Sequence, residues 1–325
     1  NKERLFLCEV FNEEKKKMNI PCPFNYTGGK FKLLEQLQPL FDEKEVFLDL
    51  FAGGGNVGIN SSSSKVIFND LNEKLINLIK FIKDTDTNIL LKQIDSIIDK
   101  YGLSNTSLYG YSYYDCDSSR GLAGYNKEKF LRLRDDFNAK VLAGETDYSM
   151  LYVLMVFSFN NQIRFNRKGL FNLPVGKRDF NSKMRSKLIL FSEELKNKDV
   201  QFMKKDFKEI SLDDFSNETF IYCDPPYLIT NATYNENGMW TEIEEKALLK
   251  FLDEANEKGF SFALSNVLES KNKRNDILYN WIESKGYYCY RLNKSYSNSN
   301  YHRKNKNSIS EEVLITNYPV DWRNE

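Results

Sequence analysis

The residues Asp224, Pro225, Pro226 and Tyr227 place an acid, two rigid residues and an aromatic ring directly after the apolar run FIYC. Proline restricts the residue before it to extended conformations and has no amide hydrogen, so backbone carbonyls at Asp224 and Pro225 are left as acceptors. Together with the Asp224 carboxylate they would suit an amine on a planar base, and the Tyr227 ring would stack on that base. The segment therefore predicts a site that orients an amine for attack on an electrophile. The alternative interpretation is a proline-rich loop at a strand end.

A second segment, DLFAGGGNVG, contains the spacing Gly53-x-Gly55-x-x-Gly58 after an apolar run. This spacing is typical of a nucleotide-binding turn between a strand and a helix, and Asp70 ends the next apolar run, where a ribose-binding acid belongs. The acid Asp49 disfavours a pyrophosphate in the turn, because like charges would lie together. It favours a ligand with a cationic amine and no phosphate, such as S-adenosylmethionine. A plain tight turn and an NAD site are the alternatives.

Alternating strands and helices must position these residues. The patterns predict strands at 45–50, 65–70, 199–207, 218–227 and 259–266, and helices at 71–84 and 240–259. This alternation is typical of βαβ units and a mostly parallel α/β sheet, and runs at 287–293 and 311–318 predict a closing strand pair. Residues 93–190 interrupt the alternation. We therefore expect an inserted domain at 93–190 and a catalytic domain made of 1–92 and 191–325.

Five motifs in this order resemble those of the class α, or Dam-like (D12), DNA adenine-N6 methyltransferases. They are PFNYTGGKFKLL (23–34), DLFAGGG (49–55), ND (69–70), KKDF (204–207) and DPPY (224–227). The resemblance covers about residues 23–318. It implies a Rossmann-like α/β methyltransferase fold with a mostly parallel sheet and an inserted, mainly helical target-recognition domain that carries a β-hairpin. The chain departs from the family at Lys205, where the usual GDF motif has glycine.

The resemblance also implies a role for each motif. The implied S-adenosylmethionine-binding residues are Tyr26, Gly29, Lys30, Asp49, Phe51, Gly53, Gly55, Asp70, Asp206 and Phe207. Asp49 would lie near the methionine amine and Asp70 would bind the ribose hydroxyls. Asp206 would accept from the adenine amine, with Phe207 on its ring. The implied catalytic residues are Asp224, Pro225, Pro226 and Tyr227, which would act on an adenine flipped out of duplex DNA because its amine is otherwise paired.

Basic residues cluster in one segment of a chain whose net charge is zero. Residues 164–188 contain eight Lys or Arg and one acid, Asp179. Such a patch predicts contacts with DNA phosphates or guanines, and a solvated basic face is the alternative. The stretch FNRKGLFNLPVGK resembles the family's hairpin, and 294–307 is a second basic tract. The expected DNA-contacting residues are Arg164, Asn166, Arg167, Lys168, Lys177, Arg178, Tyr234, Asn235, Arg303 and Lys304.

Composition narrows the class of protein. One histidine and five scattered cysteines argue against a His-based zinc site or a Ser-His-Asp triad, so we expect no metal. The cysteine pattern favours a reducing compartment, and no apolar stretch approaches the roughly 20 residues that span a bilayer. We expect a cytoplasmic monomer that acts on double-stranded DNA. Cys22 follows Pro21 as in cytosine-C5 methyltransferases, but it precedes the glycine segment and is predicted to be a packed residue.

The favoured function is sequence-specific adenine-N6 methylation of DNA, in a restriction-modification system or a phage. N4-cytosine methylation would use a similar amine, but those enzymes usually carry serine in place of Asp224. An RNA adenine methyltransferase would share DPPY and is not expected to carry the hairpin insert. A non-catalytic regulator that binds S-adenosylmethionine or DNA is the remaining alternative, and the intact Asp49, Asp224 and Tyr227 argue against it.

Overall fold

The computed structural model describes residues 18–25, 28–229, 240–270, 273–292 and 311–320. Their strands are β1 (Val46–Asp49), β2 (Lys65–Asn69), β3 (Asp199–Met203), β4 (Thr219–Cys223), β5 (Ser261–Ser270), β6 (Lys273–Arg274), β7 (Tyr288–Leu292) and β8 (Glu311–Thr316). They form one sheet in the order β3-β2-β1-β4-β5-β8-β7, with the short β6 paired to β5. The first five strands of that order are parallel, and β8 runs antiparallel between β5 and β7. The predicted mostly parallel, Rossmann-like α/β fold is confirmed.

Helices flank this sheet. Those in the described residues are α1 (Leu34–Leu37), α2 (Glu73–Asp84), α3 (Thr87–Tyr101), α4 (Thr106–Tyr109), α5 (Ala123–Leu142), α6 (Tyr148–Phe157), α7 (Ser182–Asn197), α8 (Glu242–Glu257) and α9 (Asp276–Lys285). Helix α2 begins later than predicted because the Asn72 side chain accepts from the Leu75 amide at 3.2 Å and caps it. Leu71 therefore lies before the helix and is exposed. Within the described ranges, no helix has both the length and the apolarity needed to cross a bilayer.

The central strands are buried on both faces, as expected for parallel strands covered by helices. In β1, Phe47 packs into one hydrophobic cluster and Leu48 into the other. In β4, Phe220 and Ile221 separate in the same way. Helices α8 and α9 pack on one face of the sheet. Since both faces are covered, the strand ends are where polar side chains can meet a ligand.

The chain between β2 and β3 supplies the helical layer on the opposite face. Every side chain of α6 from Met150 to Phe157 is buried, so α6 is the central helix of this layer. Helices α3 and α5 pack on α6, and α7 packs on α2. The apolar cluster runs without a break from the sheet into these helices, and the Tyr152 ring lies 6.3 Å from the Phe24 ring. The division at residues 93 and 190 stays a prediction.

A short hairpin projects from this helical layer. Phe165 and Phe171 form an antiparallel bridge, and Gly169 between them has a φ of +73°, which glycine adopts without strain. Asn166 closes the turn, since its Oδ1 accepts two backbone amides at 2.9 and 3.1 Å. The hairpin expected from the resemblance is therefore present.

Candidate active site

Four acids from separate motifs lie at one edge of the sheet. Asp49 is the last residue of β1 and Asp224 follows β4 directly. Asp70 follows β2 directly, and Asp206 lies just beyond the end of β3. Because these strands are parallel neighbours, the acids succeed one another along the edge in the order Asp206, Asp70, Asp49, Asp224. Open α/β sheets bind ligands at this edge, so the motifs converge on one candidate site.

Asn69 fixes the spacing of the strand ends at this edge. Its side chain is buried, and its Nδ2 donates at 3.0 Å to the carbonyls of Leu50 and Lys205. Its Oδ1 accepts from the Lys205 amide at 3.0 Å. One amide side chain thus joins the segments that follow β1, β2 and β3. The family resemblance of the ND motif implied a role for Asp70 and none for Asn69.

Asp49 is the most buried of the edge acids, with 1% of its surface exposed. Its Oδ2 accepts from the Gly58 amide at 3.1 Å. A Cβ on Gly58 would lie 2.6 Å from a ring carbon of Phe68 and 3.0 Å from Asp49 Oδ2, so the approach requires glycine. The pKa of Asp49 is raised to about 8, mainly by burial, with smaller contributions from the charges of Asp224 and Asp70, while the Gly58 amide opposes the shift. Among the residues the structure describes, no lysine or arginine forms an ion pair with this carboxyl.

Asp70 holds the glycine turn. Its Oδ2 accepts from the Gly53 amide at 2.8 Å and its Oδ1 accepts from the Asn72 amide at 2.8 Å. Gly53 and Gly55 have φ values of +52° and +76°, in the left-handed region that favours glycine. Burial raises the pKa of Asp70, while the two amides oppose that shift. The turn and the acid are therefore fixed to each other beside the Asp49 pocket.

Three aromatic rings form a wall beside Asp206. The Phe51 ring lies 5.7 Å from Phe207 and 5.7 Å from Trp240, and the last two are 5.9 Å apart. Asp206 caps the short turn that carries Phe207, because its Oδ1 accepts a backbone amide at 3.0 Å. Trp240 Nε1 donates to the buried Glu245 at 2.7 Å, which fixes the indole ring. Trp240 was not predicted as a site residue, and its only sequence signal is its place as the first residue of the predicted helix 240–259.

Asp224 lies in a buried polar network. Lys30 Nζ donates at 2.7 Å to Asp224 Oδ2 and at 2.9 Å to the Gly28 carbonyl, and it lies 3.3 Å from Glu312 Oε1. The Tyr227 hydroxyl lies 2.9 Å from Asp224 Oδ1 and 3.1 Å from Glu312 Oε1. Lys30 and Glu312 are 3% and 2% exposed. The structure therefore brings Lys30 of the N-terminal motif against the DPPY acid, and adds a carboxylate that the sequence had not indicated.

The DPPY residues are only partly accessible. Pro225 is buried, while Asp224, Pro226 and Tyr227 are half-buried. Burial raises the pKa of Asp224, and the Lys30 ammonium is the strongest influence that opposes this. The Asp224 carboxylate is thus held by a cation and a phenol before any substrate arrives. The outward-facing carbonyls at Asp224 and Pro225 stay a prediction.

Cys22 is a packed residue, as predicted. Its thiol is buried, its sulfur accepts from the Phe24 amide at 3.3 Å, and burial raises its pKa well above the usual range. A thiol with a raised pKa is a poor nucleophile. Cys223 at the end of β4 is equally buried, and burial raises its pKa in the same way. Neither environment suits covalent catalysis by a thiolate.

The hairpin presents the basic residues that were predicted to contact DNA. Arg167 and Lys168 are exposed at its turn. Arg164 is exposed as well, and its Nε donates at 2.9 Å to Asn172 Oδ1 across the hairpin. Lys74, in the first turn of α2, lies over the Phe165 ring at 5.3 Å and so links the hairpin to the helix that follows Asp70. The hairpin therefore stands beside the edge of the sheet that carries the four acids.

The rest of the basic segment has a different environment. Lys177 and Arg178 are exposed, and Arg178 donates to the Tyr111 hydroxyl at 3.2 Å. Asp179, which had been counted against the basic charge, is buried and accepts from the Thr106 amide at 2.7 Å. Lys183, Arg185 and Lys187 belong to α7, and Arg185 pairs with Asp95 at 2.5 Å. The eight basic residues thus lie in three structural settings, which are the hairpin, the exposed pair Lys177 and Arg178, and helix α7.

Some predicted residues cannot be compared with the structure. Tyr26, Tyr234, Asn235, Arg303 and Lys304 lie outside the described residues. Gly29 is exposed beside Lys30.

The known proteins that this chain is similar to include several DNA methyltransferases. The sequence profile of the D12 class N6 adenine-specific DNA methyltransferases matches residues 26–298. Type II methyltransferase M.FokI of Planomicrobium okeanokoites is 38% identical over 306 residues, which are 92% of this chain and 43% of that protein. Modification methylase StsI of Streptococcus sanguinis is 38% identical over 309 residues, 93% of this chain and 43% of that protein. A DNA adenine methylase of Haemophilus influenzae is 28% identical over 254 residues, 75% of this chain and 79% of that protein. The chain spans less than half the length of the first two relatives.

Proposed function

Because the chain belongs to the D12 class N6 adenine-specific DNA methyltransferase family, we propose that it transfers a methyl group from S-adenosylmethionine to N6 of an adenine flipped out of duplex DNA. The observation that carries the proposal is the convergence of the acids Asp206, Asp70, Asp49 and Asp224 at the carboxyl ends of four neighbouring strands. A modification role within a restriction system is supported by relatives named as a type II methyltransferase and a modification methylase.

The residues at this edge fit S-adenosylmethionine in chemistry and in order. Asp49 offers a buried carboxyl to the cationic amine, and Asp70 offers a carboxyl beside it to the ribose hydroxyls. Asp206 and the wall that contains Phe207 and Trp240 offer an acceptor and aromatic faces to the adenine. When bound, the cofactor supplies an electrophilic methyl group on a sulfonium. A pyrophosphate at the same place would oppose the ionisation of Asp49 and Asp70, because like charges would lie together, and it is therefore disfavoured there.

The DPPY segment would hold the target amine. Tyr227 would stack on the flipped base, and its hydroxyl contacts hold the outer end of the ring in place. Carbonyl and carboxylate oxygens at Asp224 would accept the amine hydrogens and stabilise the positive charge that develops on N6. The methylated amine must lose one proton, and the buried Asp224 carboxylate is placed to accept it. Lys30 keeps that carboxylate in position through the 2.7 Å contact.

The hairpin and the residues near it would bind the DNA. The hairpin beside the four acids carries the predicted DNA-contacting residues Arg164, Asn166, Arg167 and Lys168. Two further exposed basic side chains are those of Lys177 and Arg178. Lysine and arginine here would neutralise phosphates and hold the duplex while the target adenine leaves its stack. Tyr234 and Asn235 follow DPPY in the sequence, and we infer that they close over the flipped base.

Methyl transfer from labelled S-adenosylmethionine to duplex DNA of mixed sequence tests this proposal. The DNA is digested to nucleosides after the reaction, and we expect the label in N6-methyldeoxyadenosine. Label in N4-methyldeoxycytidine, or transfer to RNA alone, would overturn the proposal. Cys22→Ala serves as the matched control for thiol catalysis, and we expect it to retain transfer because the buried thiol is not used.

A further inference from the structure

Glu312 reaches the active site from a part of the chain that carries none of the motifs. It lies on β8, whose antiparallel pairing with β5 brings it beside the parallel strands. Its Oε1 lies 3.3 Å from Lys30 Nζ and 3.1 Å from the Tyr227 hydroxyl. The side chain is 2% exposed. A buried carboxylate is costly unless it is paired and hydrogen-bonded, so these contacts account for its presence.

We propose that Glu312 is a positioning residue for methyl transfer, which holds Lys30 and Tyr227 in the arrangement that Asp224 requires. This inference rests on the function proposed above. Glu312 acts through the two neighbours that it shares with Asp224, and its charge also acts on the Asp224 carboxyl.

The first part of the argument concerns Lys30. An ammonium group has three donors, and the described acceptors around Lys30 Nζ are Asp224, the Gly28 carbonyl and Glu312. Because these acceptors lie on three separate segments, the ammonium is fixed in direction. Without the Glu312 carboxylate, the lysine would lose one of these three acceptors, and its direction would be less well defined. Glu312 thus helps to hold the ammonium against Asp224 Oδ2.

The second part concerns Tyr227. Its hydroxyl has one hydrogen and lies near carboxylate oxygens of both Asp224 and Glu312, so only one of them can accept that hydrogen at a time. Glu312 therefore offers the phenol an alternative acceptor, which leaves Asp224 Oδ1 available to the substrate amine. The same pair of contacts holds the hydroxyl end of the ring that would stack on the base.

The third part concerns electrostatics and supplies a measurable signature. Several charged or titratable groups face Asp224 from different segments: Lys30 from the N-terminal loop, Glu312 from β8, Asp49 from β1, Tyr222 from β4 and Tyr227 from its own loop. Lys30 lowers the pKa of Asp224, and Glu312 raises it. Removal of the Glu312 charge should therefore lower the pKa of Asp224, which must be ionised for catalysis.

The experiment compares Glu312→Gln with Glu312→Asp in the complete chain. Glutamine keeps the size of the side chain and loses its charge, whereas aspartate keeps the charge and is one methylene shorter. Kinetics are measured against duplex DNA at saturating S-adenosylmethionine, so that Asp49 does not contribute to the pH profile. Cofactor binding by calorimetry and the melting temperature are recorded for each variant.

For Glu312→Gln we expect kcat to fall by up to about 100-fold, since a small displacement of a catalytic group has this effect. The acid limb of kcat/KM should move to lower pH, while cofactor affinity and KM for DNA stay close to wild type. Glu312→Asp should also lose kcat but keep the acid limb where the wild type has it. A merely structural residue would move the melting temperature and leave the acid limb in place.

Asp253→Asn is the matched control. This carboxylate on α8 also has a lysine and a tyrosine as partners, with Lys285 Nζ at 3.0 Å and the Tyr287 hydroxyl at 3.0 Å. It should leave kcat and the acid limb unchanged. If the wild type is active and Glu312→Gln has an unchanged kcat and an unshifted acid limb, this inference is overturned while the proposed function stands. A wild type that transfers no methyl group to adenine would instead refute the proposed function.

Discussion

The buried carboxyl of Asp49 should make cofactor affinity depend on pH. Burial raises its pKa to about 8. At about pH 7 roughly nine-tenths of the carboxyl is therefore protonated. A cationic amine that needs the carboxylate then binds about tenfold more weakly than it would to the fully ionised group, which corresponds to about 1.4 kcal/mol of binding free energy. The dissociation constant for S-adenosylmethionine should fall about ninefold from pH 6 to pH 7 and by up to about fivefold from pH 7 to pH 8. Above about pH 8 the α-amine of the ligand loses its own proton, so no further gain in affinity is expected.

Titration calorimetry at several pH values measures this dependence directly. S-adenosylhomocysteine is the second ligand, because it keeps the amine and lacks the sulfonium charge, and it should show the same dependence if Asp49 faces the amine. Binding near pH 7 should also release protons, which appears as a heat that varies with the ionisation enthalpy of the buffer. Asp49→Asn should bind more weakly at high pH and lose most of the pH dependence.

Two results would refute this reasoning. One is a wild-type affinity that stays constant from about pH 6 to pH 8. The other is an Asp49→Asn variant whose affinity changes with pH as the wild type's does, because the titrating group would then lie elsewhere. Asp253→Asn controls for a general effect of neutralising a half-buried carboxylate and should leave the dependence unchanged.

Other predictions follow from the contacts of single residues. Gly58→Ala should destabilise the fold by about 1–3 kcal/mol in urea unfolding and weaken cofactor binding, because the added Cβ would displace Asp49 Oδ2; unchanged stability would contradict the packing. Joint replacement of Arg167 and Lys168 by Ala should lower the slope of log affinity for DNA against log salt by up to about 2 without changing cofactor affinity. An unaltered slope would show that the hairpin turn does not contact DNA phosphates. Trp240→Ala should weaken cofactor binding by about 1 kcal/mol, measured by calorimetry, whereas Trp240→Phe should retain most of it; equal losses in both variants would argue against a ring contact.

Local patterns predicted the strands that carry the motifs because each such strand ends at a distinctive residue. β1 ends at Asp49 before the glycines, and β4 ends just before DPPY. Parallel topology then places all the strand ends at one edge, so the site could be expected from motif order alone. Contacts between Lys30 and Asp224 depend on how the N-terminal loop lies across the sheet, which no local pattern specifies.

The residues that sequence reasoning missed are those whose role depends on distant packing. Glu312 is the second residue of β8, and an ordinary apolar run follows it. It lies near Tyr227 only because β8 is inserted between β5 and β7 in the sheet. Asp179 was counted as a charge in a basic segment, yet it folds inward to hold Thr106. The composition of residues 101–126, which are rich in Tyr, Ser and Gly, predicts loops. The Thr106–Tyr109 stretch is nevertheless the helix α4, with Asn105 as a capping side chain. Charge counts and composition carry no information on which side chains face inward.

The central claim is that Asp224 acts on the target amine while the neighbouring strand ends hold the cofactor. Asp224→Ala separates these roles, because Lys30 keeps Glu312 as a partner and the Asp49 pocket is untouched. Calorimetry should find S-adenosylmethionine bound as tightly as in the wild type, or slightly tighter near neutral pH, since the Asp224 charge raises the pKa of Asp49. Methyl transfer to duplex DNA under single-turnover conditions should fall by about 1,000-fold or more. Transfer at a rate near that of the wild type, or loss of cofactor binding together with activity, would contradict the account.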